Sequence, residues 1–187
     1  MERMPVDSDV LGRTLEQGVF DPGVAGRPLL VLLHGRGSNP VDVWTLGLRD
    51  GLERLGSRAP AVLLVDGGDH SYYHDRRDGP WGDYVFREAI PAALERLRAD
   101  PDRIAIGGIS MGGFGALDLA RLHPARFCAV GGHSPALWVA AIGALFAFLP
   151  ILLSPVPKLR EMPEPVEEPL PSEAEAAGGL LAAAARE

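Results

Sequence analysis

The stretch Ile104-Ala105-Ile106-Gly107-Gly108-Ile109-Ser110-Met111-Gly112-Gly113-Phe114-Gly115 decides how this chain is read. A short apolar run enters Gly108-x-Ser110-x-Gly112, and a helical pattern follows from Met111 to about His123. Strand before and helix after is the setting in which a serine sits on a tight, strained turn with its hydroxyl above the sheet. Side chains at 108 and 112 would crowd that serine, and side chains at 113 and 115 would hold the helix off its neighbours. The helix start also offers free N–H groups and the positive end of its dipole to a developing oxyanion. An ordinary glycine-rich turn is the plain alternative. A phosphate-binding loop is excluded, because the lysine of its motif is absent and the dinucleotide glycine spacing is not met.

Working outward, Pro28-Leu29-Leu30-Val31-Leu32-Leu33 is a continuous apolar run that ends at His34-Gly35-Arg36-Gly37-Ser38. Unbroken apolarity fits a strand covered on both faces. Asn39-Pro40 opens a helical pattern over 41–55, with Gly56 as its stop. Ala61-Val62-Leu63-Leu64-Val65 is the next buried strand, followed by Asp66-Gly67-Gly68 and a polar, aromatic loop to Gly82. Helical pattern resumes over 84–98, with Pro91 tolerated in a first turn. The elbow strand and helix come next, and 127–131 is expected as a fourth strand before Gly132-His133-Ser134-Pro135. Residues 1–27 are polar and fit an edge hairpin. Alternating strands and helices predict right-handed crossovers and a three-layer α/β/α sandwich on a mainly parallel sheet. The loops 34–39, 66–82, 108–112 and 132–138 all follow strand ends, and in such sheets ligands bind at that edge.

Composition narrows the function further. The 187 residues suit one domain with a sizeable core. A net charge of −7 with no basic cluster argues against nucleic acid as a partner. The single cysteine, Cys128, lies in an apolar segment and is expected as a buried thiol, which excludes an internal disulfide. No His/Cys spacing suggests a metal, and no cofactor motif is present. The start of the chain has no apolar signal core, so a cytoplasmic location is expected.

With the elbow, His34-Gly35 and the Asp66-Gly67-Gly68 loop in view, the chain resembles esterases of the α/β-hydrolase fold, of the esterase D-like and mycolyltransferase-like branch. The likeness covers roughly residues 27–138 and rests on several motifs in the family's order. It implies a serine hydrolase acting on a carboxylic ester or thioester through an acyl-enzyme at Ser110. It also implies an oxyanion hole made by the backbone N–H of Met111 and of Arg36, the residue after His-Gly. Acyl transfer needs a nucleophile and such donors in any case. His34, Tyr72, Tyr73 and Trp81 are candidates for a substrate pocket, though a loop packed on its own aromatics is an equal alternative.

The family's triad continues with an acid and a histidine on later loops. After Ser110 this chain has one aspartate, Asp118, within the helix, and no histidine follows His133. No charged residue occurs over 127–157, and 136–153 is apolar throughout except for Gly143 and Pro150. Residues 154–187 carry six prolines and seven glutamates and read as a disordered tail. The expected organisation is therefore a hydrolase core over 1–138 lacking the family's last strands, an apolar segment over 139–153 and a tail over 154–187. Three readings fit the change: an out-of-frame or truncated end near Trp138, a membrane contact through 136–153, or a reduced hydrolase in which His133 substitutes as base. The first two would make the chain a catalytically silent descendant of an enzyme, serving as a binding or membrane-associated module.

Overall fold

The computed structural model describes residues 1–135, so the segments 136–153 and 154–187 lie outside the described residues. Strands β1 (Glu2–Ser8) and β2 (Arg13–Phe20) form the N-terminal hairpin, followed by β3 (Pro28–Leu33). After them come α1 (Pro40–Val43), α2 (Arg49–Leu55) and β4 (Ala61–Val65). A two-residue-per-strand hairpin, β5 (Asp75–Arg76) and β6 (Gly79–Pro80), leads to α3 (Trp81–Asp83) and α4 (Ile90–Leu97). The chain then runs through β7 (Asp100–Ile109), α5 (Met111–Leu122) and β8 (Ala129–His133).

Six strands make one sheet in the order β1-β2-β4-β3-β7-β8. The hairpin joins antiparallel, while β4, β3, β7 and β8 run parallel. β4 is buried at all five positions, as an interior strand between two helical layers must be. β1 instead alternates exposed and buried residues, the pattern of a strand with one wet face. Two apolar clusters separate on the two faces. One gathers Val31, Leu33, Ile104 and Ile106 with Ile90, Ala93 and Leu97 of α4 and Met111, Ala116 and Leu119 of α5. The other gathers Val62 and Leu64 with Leu52 of α2, flanked by Leu30, Leu32, Val43 and Trp44. The sheet thus sits between helical layers, as the strand-helix alternation predicts.

Three local expectations are corrected. The helix expected over 41–55 is interrupted by a wide turn, Trp44–Leu48. Gly47 takes φ 101°, which its missing side chain permits, and Leu46 is also non-helical. The break turns Leu46 outward, 74% exposed, while Val43, Trp44 and Leu48 still reach the sheet. The fourth strand is Ala129–His133, two residues later than expected, and all five residues are exposed at one edge of the described sheet. Cys128 beside it is therefore an exposed thiol and not a buried one.

Asn39 caps α1: its side chain accepts from the N–H groups of Val41 and Asp42, and the Asp42 carboxylate accepts in turn from Asn39 N–H. Asn39→Ala is expected to lower stability by about 1 kcal/mol in urea unfolding, the usual cost of losing a polar cap.

Candidate active site

The elbow is built by close backbone approach. A β-carbon placed on Gly112 would lie 2.0 Å from the Leu33 carbonyl oxygen and 2.7 Å from that of His34. The start of α5 is thereby pressed against the end of β3. At the point between β7 and α5, Ser110 adopts φ 53°, ψ −109°, a conformation that L side chains rarely occupy. Such a backbone costs of order 1–3 kcal/mol and persists only where the surroundings impose it. Here Ser110 N–H donates to the His133 carbonyl at 2.9 Å, and Ser110 C=O accepts the first helical bond from Phe114 N–H at 3.0 Å. Ser110 stays half-buried at the strand ends, and the N–H groups of Met111, Gly112 and Gly113 begin α5 without intrahelical acceptors.

The loop after β3 comes up beside it. A β-carbon on Gly35 would lie 3.7 Å from Ser110 Cβ, so this backbone passes directly over the serine. Ser38 N–H closes a turn onto Gly35 C=O at 3.2 Å, and Gly37, at φ 69°, donates to Asp69 C=O at 3.2 Å. Among the described residues the Arg36 N–H has no acceptor. A loop at Gly35 and a helix start at Met111 thus flank the serine.

His34 does not wall a pocket. It is 1% exposed, and Gly67 N–H donates to its Nε2 at 3.2 Å. The proton then sits on Nδ1, which donates to Gly35 C=O at 2.8 Å. The ring is a strut between the loops after β3 and β4. Tyr73 and Trp81 are also core residues: Tyr73 is fully buried with its Oη donating to His34 C=O at 3.2 Å, and Trp81 packs over Gly68. Burial pushes the Tyr73 phenol well up, so it remains a neutral donor. The aromatic loop is packed on itself, the alternative weighed against a pocket. Tyr72 alone of the three stays half-buried, edge-on to Phe114 and His70 with Arg76 over its ring.

His133 shares register with Ile109 and helps to wall an apolar groove of about 460 Å³ with Leu32, Val43, Leu46 and Leu48. That groove lies on the α1/α2 face of the sheet, opposite α5. The carbonyl of His133, not its ring, is what reaches Ser110 among the described contacts.

The sequence reading did not anticipate one pair. His74 Nδ1–H donates to Asp118 Oδ2 at 2.7 Å, and Arg121 Nη2 holds Asp118 Oδ1 at 2.7 Å. Burial pushes the Asp118 carboxyl up, but the bonds from Arg121 and His74 outweigh it and hold the group below the usual range. A lowered carboxyl stabilises the fold above its unfolded value of about 3.9 and loses that stabilisation as the pH falls through the folded value. Among the described residues no group of His, Cys, Asp and Glu is placed to hold a metal, and no helix is long and apolar enough to cross a membrane.

A family model described as "Putative esterase" matches residues 25–144. The chain belongs to this esterase family. Among its relatives, the esterase Rv1288 of Mycobacterium tuberculosis (strain ATCC 25618 / H37Rv) is 34% identical over 118 residues, 57% of this chain and 25% of that protein. The MPT51 antigen of Mycobacterium leprae (strain TN) is 32% identical over 139 residues, 71% of this chain and 44% of that protein. A solved ferulic acid esterase superposes with a TM-score of 0.61 at 25% identity, over 68% of this chain and 56% of that one. The esterase fold of the α/β-hydrolase type is thus shared, while the chain spans between a quarter and just over half of the proteins it matches.

Proposed function

We propose that this member of the esterase family is a serine ester hydrolase core in which Ser110 attacks the carbonyl of a carboxylic ester or thioester and forms an acyl-enzyme. The observation that carries this reading is the backbone at Ser110, φ 53° and ψ −109°, with Gly35 alongside and α5 starting beneath. A strained serine between a helix start and a second loop of free amides supports a nucleophile next to an oxyanion hole. In this reading Met111 N–H and Arg36 N–H stabilise the oxygen of the tetrahedral intermediate. As the Ser110 oxygen bonds to the acyl carbon, its proton passes through solvent to the departing alkoxide or thiolate. The alcohol or thiol leaves, and water later releases the acid.

Deprotonation of Ser110 calls for a base. His133 is the histidine of the neighbouring strand, and its groove-side position in β8 makes it a poor fit for direct transfer. On the described residues alone the expected rate is that of a serine with an oxyanion hole but no base, which retains about 10³–10⁴ over water. This favours a second reading beside the first: an esterase-derived chain that acylates slowly and serves mainly to bind. A small-molecule ester or thioester is the proposed partner in both, in the cytoplasm.

Intact-mass spectrometry after exposure to an activated aryl ester separates the two from a chain without the site. One acyl adduct, mapped to Ser110 and missing in Ser110→Ala, is expected; no adduct, or one elsewhere, would remove the hydrolase reading. His133→Ala is expected to leave the rate of adduct formation within about twofold of wild type, since removing a base that acts would cost about 10²–10⁴.

A further inference from the structure

Tyr73 lies where three parts of the candidate site meet. A β-carbon on Gly67 would stand 2.1 Å from Tyr73 Cε1, and one on Gly115 of α5 would stand 2.7 Å from Tyr73 Cβ. Its hydroxyl holds the His34 carbonyl, in the peptide immediately before the one that carries the Arg36 amide. A single buried ring therefore touches the elbow helix, the loop after β4 and the segment that carries one half of the oxyanion hole.

The backbone that delivers this ring is not relaxed. Tyr72 and Tyr73 both sit at φ 55°, two consecutive aromatic residues in a region that favours glycine. Such a segment stays only where its flanks are fixed. Ser71 Oγ accepts from Tyr73 N–H at 2.9 Å, and Asp75 Oδ1 accepts from Gly82 and Asp83 N–H at 2.8 and 3.1 Å. Those bonds fasten the loop to itself and to α3. The hydrogen bond that fastens it to α5 is His74 to Asp118.

We propose that His74 and Asp118 are a positioning pair for the reaction at Ser110. Resting on the Ser110 reading above, the pair clamps residues 71–76 to the elbow helix so that Tyr73 keeps the Arg36 amide at oxyanion distance. It is not a displaced acid and base. Asp118 follows Ser110 by eight residues of helix, about 12 Å at 1.5 Å per residue, so this carboxylate does not itself take the serine proton, and what is claimed for the pair is positioning. Arg121 binds the other oxygen of the same carboxylate. Asp75, Asp83 and His123 line the same recess of about 220 Å³ on the loop, α3 and the end of α5. His74 itself is half-exposed, so its loss leaves no cavity in the core.

The test is the rate of covalent labelling of the full chain by a fluorophosphonate, resolved into the maximal inactivation rate constant and the probe's binding constant, with thermal melting alongside. His74→Ala is expected to lower the maximal rate about tenfold with binding and melting little changed, a fraction of the 10²–10³ that a lost donor costs. His74→Asn, whose amide N–H replaces Nδ1–H, is expected to restore most of that rate. Arg121→Ala, which leaves the His74 bond in place, is expected to stay within about twofold of wild type. Wild-type labelling in His74→Ala, or a loss that asparagine does not repair in a chain with unchanged melting, overturns the proposal. A wild-type chain that never labels at Ser110 removes the Ser110 reading and the positioning role with it.

Discussion

Gly112→Ala is expected to destabilise the native fold severely. The added carbon would lie 2.0 Å from the Leu33 carbonyl oxygen and 2.4 Å from its carbon. These are backbone atoms of an interior strand, so no rotamer change relieves the overlap. β3 pairs with both β4 and β7, and moving it would disturb two ladders at once. Overpacking in a well-filled core costs typically 1–3 kcal/mol where side chains can yield, and a clash against fixed backbone costs more. Against a total stability of about 5–15 kcal/mol, a loss of about 5 kcal/mol is expected. Far-ultraviolet circular dichroism during urea titration checks it: a midpoint within error of wild type would show that α5 does not sit on β3 as described. Gly51→Ala serves as the control, because nothing lies within 4 Å of a β-carbon there.

Ser110→Gly is expected to do two opposite things. Acyl-enzyme formation disappears, since the attacking oxygen is gone; the remaining amides do no covalent chemistry. The fold should meanwhile gain about 1 kcal/mol. Glycine accepts φ 53° freely and releases strain of about 1–3 kcal/mol, against a backbone-entropy cost of about 0.5–1 kcal/mol. Thermal unfolding and the acylation assay read the two effects on one sample. A destabilised Ser110→Gly would mean that the elbow is unstrained, and strain is the feature that ties this turn to chemistry.

Much of this architecture was legible in the sequence because its signals are local. Unbroken apolar runs at 28–33 and 61–65 became β3 and β4, and the glycines around Ser110 mark backbone contacts closer than any side chain allows. Other features were hidden because they depend on distant partners. Nothing near Tyr73 tells that it fills the space left by Gly67 and Gly115, so a pocket wall and a core plug read alike. The His74–Asp118 bond joins residues 44 apart and follows no spacing rule. Cys128 looks buried in an apolar stretch, yet β8 is the edge of the described sheet and leaves it exposed. The break at Gly47 leaves no mark in the sequence pattern, because the apolar spacing on either side continues across it. The family relationship confirms the esterase fold while saying nothing of how this chain moves a proton at Ser110.

That Ser110 is a nucleophile facing two backbone amides is the claim on which the account depends, and fluorophosphonate labelling followed by peptide mapping tests it most directly. The account predicts a single covalent phosphonyl adduct on Ser110, absent in Ser110→Ala and absent when the chain is first unfolded in urea. An unlabelled folded chain, or labelling that persists in Ser110→Ala, would contradict it.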